Sequence, residues 1–323
     1  MSIKEVAEKA GVGISTVSRV LNRPDLVKEE TREKVYSAMK AVGYSPVKKN
    51  TQQTYIIGLA VPNTKIDIMG ELIRSIEDEL MDTPYDLLIL NMRMERDLSR
   101  FFREMMNLTK KIDALIISSA TIDDESVEYF RSLNIPVVLL QSRCPQEKSI
   151  STNNYQGALD AVNFMIARGY KKIGFIGWEP EDDHLVDRFH GYKNAIEKAN
   201  LGFQPDMTAF SLLSVEGGYE ATAKLFEQSA PDGIFYACDS MAYGGYRYLL
   251  EKELRIPVDI GIVGFDDLEF SSVLGLTTMK QYIRTKVKIA VSYLLDRLSG
   301  NIETPSNEEI SIAPKLVIRN STK

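Results

Sequence analysis

The sequence predicts an α/β protein in which a small helical head precedes a larger body of two lobes, each built on a parallel sheet. Three observations predict this architecture. Residues 1–46 contain three short helical patterns, a polar stretch follows them, and from residue 56 onwards seven apolar runs of strand length alternate with amphipathic helical segments. Apolar strands that alternate with helices are typical of parallel sheets buried on both faces.

The head is predicted to hold three helices. The first runs from about Ile3 to Lys9 and ends at the Gly11 turn, the second begins near Ser15 and stops before Pro24, and the third covers about 29–42. Helical spacing predicts a shared apolar core. Its expected members are Val6, Ala7, Ala10, Val17, Val20, Leu21, Val35, Ala38, Met39 and Val42.

Residues 47–55 are polar and follow a proline, which is typical of a linker. The body then spans residues 56–323. A break near "EKSISTNNYQG" divides it into a first lobe, about 56–151 and 281–309, and a second lobe, about 152–280 and 310–323. Two such lobes leave a cleft, and open parallel sheets bind ligands beyond the carboxyl ends of their strands.

Charge is unevenly distributed along the chain. Residues 1–50 contain ten Lys and Arg and six Asp and Glu, which gives a net charge of +4. Because the whole chain has a net charge of −6, the remaining residues carry a net charge of −10. A basic head on an acidic body is typical of a nucleic-acid-binding module on a soluble carrier. A few lysines without a role on a short segment would give the same count.

Several classes of protein are disfavoured. No apolar run reaches the length of a membrane span, and the N-terminus lacks a signal-peptide core, so we expect a cytoplasmic protein without a membrane partner. The two cysteines, Cys144 and Cys238, are expected to be reduced thiols. With two histidines and no nucleophile, phosphate-loop or metal motif, the sequence predicts no catalytic residue, no metal and no cofactor.

Ordered motifs span nearly the whole chain: "IKEVAEKAGV", "STVSRVLN", "ETREKVYSAMKAVGYSP", "IGL", "IGFIG", "DRFHGY", "CDSMAYG", "DIGIVGFDD" and "LTTMKQ". In this order and spacing they resemble the lactose-repressor (LacI/GalR) family of bacterial transcription regulators. The resemblance implies an N-terminal helix-turn-helix and a bilobal, periplasmic-binding-protein-like body. It also implies an operator of double-stranded DNA, a homodimer formed through the first helices and strands of the body, and a small-molecule effector.

The resemblance places the second helix in the major groove of DNA. Arg19 can pair bidentately with guanine, Ser15 can donate or accept, and Ile14 either touches a thymine methyl or reads no base. Capping and solvent exposure are the alternative roles of the serines. The phosphate-contacting positions implied by the family are Thr16, Ser18 and Asn22.

The linker departs from the family pattern. Many relatives carry a hinge helix whose leucine wedges into the minor groove, but "YSPVKKNTQQTYIIGL" is shorter and has no such leucine. We therefore expect no leucine intercalation. Lys48 and Lys49 can still hold phosphates.

The resemblance places the effector between the lobes. Arg188 and Asp266 correspond to the ligand-contacting arginine and carboxylate, a pair that suits the vicinal hydroxyls of a sugar. The alternative is a structural salt bridge or, for Asp266, a charge at the start of a helix. Trp178 either stacks on a sugar face or anchors its loop, and Asp239 is expected to cap the helix that follows it. The remaining pocket positions carried over are Ile68, Met69, Ser142, Asn153, Leu213 and Cys238.

Together these features predict a sequence-specific DNA-binding transcription regulator, a repressor, controlled by a sugar or sugar derivative. The alternative is a soluble sugar-binding receptor without specific DNA binding, because the body alone would fit that role. The matched head argues against it.

Overall fold

The computed structural model describes residues 3–14, 16–17, 20, 27–42, 54–62, 67–92, 101, 111–120, 122–178 and 183–323. The chain divides into two compact units, Met1–Gln53 and Thr54–Lys323. This division falls inside the stretch that the sequence predicts to be a linker.

The head unit contains helix α1, Ile3–Ala10, and helix α2, Glu29–Val42. Between them Ile14, Thr16, Val17 and Val20 are helical. A small apolar core joins the three segments, with Ala10, Val12 and Val27 partly buried at its edge. The core consists of Val6, Ala7, Val17, Val20, Val35, Ala38 and Met39. Leu21 and the side chain of Val42, also predicted to be buried, lie outside the described residues.

The body consists of strands and helices that alternate along most of the chain. The strands are β1 Ile56–Val61, β2 Asp86–Asn91, β3 Ala114–Ser118, β4 Val137–Leu140, β5 Ser149–Thr152, β6 Ile173–Gly177, β7 Thr208–Phe210, β8 Gly233–Tyr236, β9 Gly261–Asp266, β10 Thr277–Lys280, β11 Glu309–Ile312 and β12 Lys315–Val317. The helices are α3 Asp67–Leu80, α4 Asp124–Ser132, α5 Asn154–Ala167, α6 Asp183–Lys198, α7 Val215–Gln228, α8 Asp239–Glu251, α9 Glu269–Val273 and α10 Ile283–Ser299.

The strands form two sheets, one in each lobe. The first has the order β11-β5-β4-β3-β1-β2 and the second the order β12-β10-β9-β8-β6-β7. All pairings are parallel except that of β10 with β12, which is antiparallel. Apolar side chains are buried on both faces of each sheet, as the apolar runs predict.

Four strands carry no clear sequence signal: β5, β7, β11 and β12. Strand β5 lies in the "EKSISTNNYQG" stretch, where serine and threonine hide the apolar pattern, yet all four of its residues are buried. Strand β11 pairs with β5 in register from Glu309 to Ile312. Residues 310–312 therefore belong to the first lobe, which corrects the predicted boundary at 309/310. The sequence did not indicate this strand because an edge strand with alternating exposure resembles a loop.

The chain passes between the lobes three times, at 152–154, 280–283 and 312–315. Each passage begins at the carboxyl end of a strand: β5, β10 and β11. The carboxyl ends of the central strands in both sheets consequently lie near the boundary between the lobes, where a ligand is expected in this type of fold.

Candidate effector site and nucleic-acid interface

Residues just beyond the strand ends of one lobe contact their counterparts in the other lobe. The Ser240 hydroxyl at the start of α8 donates to Asp67 Oδ2 at the start of α3, 2.5 Å away. Arg143, which follows β4, lies 3.4 Å from Asp187 Oδ2 on α6. Gln141 Nε2, also after β4, donates to Gln281 Oε1, after β10. These contacts locate the boundary of the cleft.

Arg188 directly follows Asp187 on α6 and is 6 % exposed. Its Nε donates to Asn154 Oδ1 at 2.9 Å, and its Nη1 donates to the carbonyl oxygen of Ala237. The guanidinium carbon lies 3.7 Å from the centre of the Phe265 ring. Burial lowers the pKa of Arg188, which the charge of Asp266 opposes. Stacking and hydrogen bonds therefore hold the guanidinium in one orientation.

Asp266, the last residue of β9, is the partner predicted for Arg188. Its Oδ1 lies 3.6 Å from Arg188 Nη1, and it accepts a hydrogen bond from Gln281 Nε2. Burial raises the pKa of Asp266 to about 7, although the positive charge of Arg188 lowers it. The backbone of Asp266 has a φ of 131°, a strained value for a residue other than glycine, and such strain clusters at functional sites.

The predicted capping role of Asp239 is wrong. Cys238 occupies the N-cap position of α8 and makes no side-chain cap hydrogen bond. The buried Asp239 carboxylate instead accepts hydrogen bonds from the Leu268 amide (3.0 Å) and from the hydroxyls of Ser271 (2.5 Å) and Thr278 (2.6 Å). These three donors are distant in sequence, so the Asp239 side chain binds α9, the residue before α9, and β10, and it does not cap α8.

A buried polar network that sequence reasoning missed adjoins Asp266. Gln281 donates to Asp266 and accepts from Lys286 Nζ at 3.3 Å, and Thr152 Oγ1 donates to Gln281 Oε1 at 2.9 Å. Lys286 Nζ also donates to Thr152 Oγ1. In the sequence, this network could have been predicted from the position of Lys286, which lies on the apolar face of α10 with Ile283 and Ala290. A lysine at an apolar position indicates a buried charge.

Three further predicted effector residues lie close to this region but have structural partners. Cys238 is buried directly after Ala237, and burial raises the pKa of its thiol. Ser142 Oγ accepts a hydrogen bond from the Ala120 amide at 2.9 Å. Asn153 Oδ1 caps α5 by accepting from the Gln156 amide at 3.0 Å, while its neighbour Asn154 holds Arg188.

The other predicted effector residues are apolar. Ile68 and Met69 lie in the first turn of α3, where Met69 is buried in the core of the first lobe and Ile68 is partly buried against it. Trp178 directly follows β6 and is half-buried, and Leu213, between β7 and α7, packs against the core of the second lobe. All four follow the carboxyl ends of strands, which is consistent with pocket positions but does not test them.

The predicted DNA-contacting residues are described only in part. Ile14 is 48 % exposed, and Thr16 is partly exposed. The amides of Thr16 and Val17 donate to the Gly13 carbonyl at 2.9 and 3.1 Å, which starts the second helix after the turn. The other predicted contacts lie outside the described residues: Ser15, Ser18, Arg19, Asn22, Lys48 and Lys49.

The described residues lack both a metal-binding cluster and a membrane-spanning helix. They contain no group of three or more His, Cys, Asp or Glu side chains that could hold a metal ion. No helix within the described ranges has the length and apolar character needed to cross a membrane.

The fold and the site define a class: proteins that join a small helix-turn-helix head to a two-lobed α/β body with buried polar groups at the boundary between the lobes. Two family matches agree with this class. Residues 2–47 match "Bacterial regulatory proteins, lacI family", and residues 162–322 match "Periplasmic binding protein-like domain".

Similar proteins cover between 83% and 100% of this chain. The HTH-type transcriptional repressor PurR of Haemophilus influenzae is 31% identical over 334 residues, covering 100% of this chain and 98% of its own. The solved Lac repressor dimer bound to operator and the anti-inducer ONPF is 26% identical, with a TM-score of 0.71 and coverage of 100% and 99%. A LacI family transcriptional regulator from Enterococcus faecium with bound ribose is 26% identical, with a TM-score of 0.72 and coverage of 83% and 98%.

The chain therefore belongs to the LacI family of bacterial regulatory proteins. It is a DNA-binding transcription repressor of the LacI type, not an enzyme. The family resemblance and the predicted fold class, an α/β body of two parallel-sheet lobes behind a helix-turn-helix head, are confirmed.

Proposed function

We propose that this repressor binds its operator as a homodimer and that a sugar or sugar derivative, bound between the lobes of the body, controls its affinity for DNA. The observation that carries the proposal is the buried pair of Arg188 and Asp266, which lies 3.6 Å apart at the boundary between the lobes. Such a regulator acts where the chromosome lies, in the cytoplasm.

The chemistry of the pair suits a polyhydroxylated ligand. The guanidinium of Arg188 presents several donors in a fixed plane, and the carboxylate of Asp266 presents acceptors. The 3.6 Å between Arg188 Nη1 and Asp266 Oδ1 is longer than a hydrogen bond, so both the guanidinium and the carboxylate can still form hydrogen bonds with a ligand. Gln141 and Gln281 add amide groups that both donate and accept. The ribose bound to the Enterococcus faecium relative supports a sugar as the effector.

The head supports the DNA-binding part of the proposal. In the second helix Ile14 is exposed, whereas Val17 and Val20 are fully buried, so this helix has one face towards the core and one towards solvent. The solvent face is proposed to contact DNA. Arg19 is proposed to read a guanine, and Lys48 and Lys49 to hold phosphates.

Two exposed apolar side chains support a homodimer through the first lobe. Met81, just after α3, is 75 % exposed, and Ile89 on the edge strand β2 is 40 % exposed. Exposed apolar side chains on and near a strand at the end of a sheet favour association with another chain. A two-fold dimer would match a pseudo-palindromic operator.

The proposed coupling is a shift of population between two arrangements of the lobes. A ligand that binds one arrangement better changes contacts such as that of Asp67 with Ser240 and thereby the placement of the heads. A preference of a few kcal/mol, roughly 2–5, is sufficient.

The DNA-binding part is tested by a gel shift with the DNA upstream of the protein's own gene at two salt concentrations. The full-length protein should prefer this DNA over a scrambled duplex and lose affinity steeply as salt rises. Arg19→Ala should reduce the preference by about tenfold or more. Equal affinity for all duplexes would favour the alternative, a sugar-binding receptor without specific DNA binding.

The effector part is tested by a thermal-shift screen of sugars and nucleobases. A sugar that binds the cleft raises the melting temperature of the wild-type protein, and this shift should disappear in Arg188→Ala. Arg74→Ala, an exposed arginine on α3, is the matched control and should retain the shift. Stabilisation by a nucleobase in place of any sugar would contradict the sugar assignment.

A further inference from the structure

The site contains a second buried cation, Lys286. It lies in the first turn of α10 in the first lobe and is 1 % exposed. Its Nζ donates only to neutral oxygens, Thr152 Oγ1 and Gln281 Oε1. Within the described part of the chain, no carboxylate forms an ion pair with it. Burying an ammonium group with only neutral partners costs free energy, and a bound anion next to Lys286 would reduce this cost.

The charged groups around Lys286 do not supply that anion. Asp266 faces Arg188 and is connected to Lys286 only through Gln281. Glu71 on α3 is half-buried and forms no ion pair with Lys286 among the described residues, and Asp239 accepts hydrogen bonds from its three donors. Burial and, to a smaller extent, the positive charge of Arg188 lower the pKa of Lys286 to about 7, against the opposing charges of Asp266 and Glu71.

The helix that carries Lys286 adds to the positive potential. The first turn of α10 contains no acidic residue, and its N-cap, Tyr282, provides no side-chain cap. The amide groups at a helix N-terminus carry a partial positive charge, which disfavours a lysine there and favours an anion. The buried ammonium and the helix terminus therefore act in the same direction.

We propose that the effector is an acidic sugar, whose carboxylate or phosphate oxygen atoms bind between Lys286 of the first lobe and Arg188 of the second. This inference rests on the proposed function, since it assigns the charge of the ligand in the same cleft. An oxyanion between these two cations would join the lobes by charge-assisted hydrogen bonds. Asp266 and the glutamines would remain for the hydroxyl groups.

The test compares neutral and charged sugars that share a carbon skeleton: glucose with gluconate and glucose 6-phosphate, and ribose with ribose 5-phosphate. Binding to the full-length protein is measured by calorimetry and thermal shift at constant ionic strength. A charged member should bind at least about tenfold more tightly than its neutral counterpart. The gluconate and phosphate arms distinguish a carboxylate from a phosphate.

Three variants assign the charge preference to Lys286. Lys286→Met should weaken binding of the charged sugar by about tenfold or more and leave neutral sugars unchanged, whereas Lys286→Arg should retain the preference. Lys288→Met, which changes an exposed lysine on the same helix, should behave as wild type. A thermal melt of each variant without ligand verifies that it is folded.

The possible contrary results are distinct. Equal binding of neutral and charged sugars, a preference that persists in Lys286→Met, or an equal shift with inorganic phosphate alone would overturn the acidic-sugar inference and leave the sugar-controlled repressor standing. If no sugar binds, charged or neutral, both the inference and the sugar part of the proposed function fail. The gel shift tests the DNA-binding part independently.

Discussion

At the residue scale, the boundary between the lobes concentrates charge that burial makes costly. Arg188, Asp266 and Lys286 are each less than 7 % exposed, and only the first two lie within ion-pair distance of each other. Buried charges are generally kept for a reason other than stability, because apolar residues of similar size would often be more stable. Substitutions here should therefore separate stability from ligand binding.

Lys286→Met should stabilise the ligand-free protein by about 1–4 kcal/mol at neutral pH. Since burial lowers the pKa of Lys286 from 10.5 to about 7, the unfolded chain binds more protons than the folded chain between these values. The cost of burying this lysine is complete below about pH 7 and fades towards about pH 10.5, so the advantage of methionine should shrink over that window.

The measurement is the free energy of unfolding in urea from about pH 6 to about pH 10, with Lys288→Met as the control. Asp266, with its pKa raised from 3.8 to about 7, makes stability depend on pH mainly between those two values, and it is present in both proteins. An advantage of methionine that grows with rising pH would contradict the assigned direction.

Asp239→Asn should destabilise the second lobe by about 3 kcal/mol. The carboxylate accepts from the Leu268 amide, Ser271 and Thr278, and an asparagine would point an amide donor at one or more of these groups. Denaturant unfolding measures the change. Asp160→Asn, on the exposed face of α5, should change stability by less than about 0.5 kcal/mol, and an equally small effect at Asp239 would show that the three hydrogen bonds are weak.

At the scale of elements, helices α7 and α8 pack closely because glycines face each other's backbone. A Cβ atom on Gly244 would lie 1.8 Å from the Val215 carbonyl oxygen, and one on Gly218 would lie 2.1 Å from that of Met241. Backbone atoms cannot move aside as flexible side chains do. The distance between the two helices is therefore set by the absence of side chains at these positions.

Gly244→Ala should destabilise the protein by about 3 kcal/mol, because α7 and α8 would have to separate. Gly70→Ala on α3 is the control: its nearest neighbour is the flexible end of Arg74 at 3.4 Å. In that helix, alanine should be neutral or stabilising by up to about 1 kcal/mol. Similar melting temperatures for the two variants would refute the packing argument.

At the scale of the whole molecule, the proposed homodimer would present two heads to a pseudo-palindromic operator and would associate through the first lobe. Ile89→Glu on the edge strand β2 should shift the protein from dimer to monomer in sedimentation velocity and weaken operator binding, because the charge would be buried at the interface. Val258→Glu, an exposed valine before β9, should leave the dimer intact. A dimer that persists in Ile89→Glu would place the interface elsewhere.

The sequence alone determined the fold class and the positions of the strongly patterned elements. The limits of α2 and the apolar strands β1, β3, β6, β8 and β9 follow from uninterrupted apolar spacing, which reflects local burial on both faces of a sheet. The ordered motifs also determined the family, and with it the choice of Arg188 and Asp266.

Only the tertiary structure revealed where the polar or short strands lie and which residues interact at the site. Strand β5 is recognised through its pairing with β4 and β11, not through its composition. Asp239 accepts hydrogen bonds from three donors on other elements. Lys286 donates a hydrogen bond to Thr152, which is 134 positions away in the sequence. Burial and pairing of charged groups depend on residues brought together by the fold, and no local pattern contains that information.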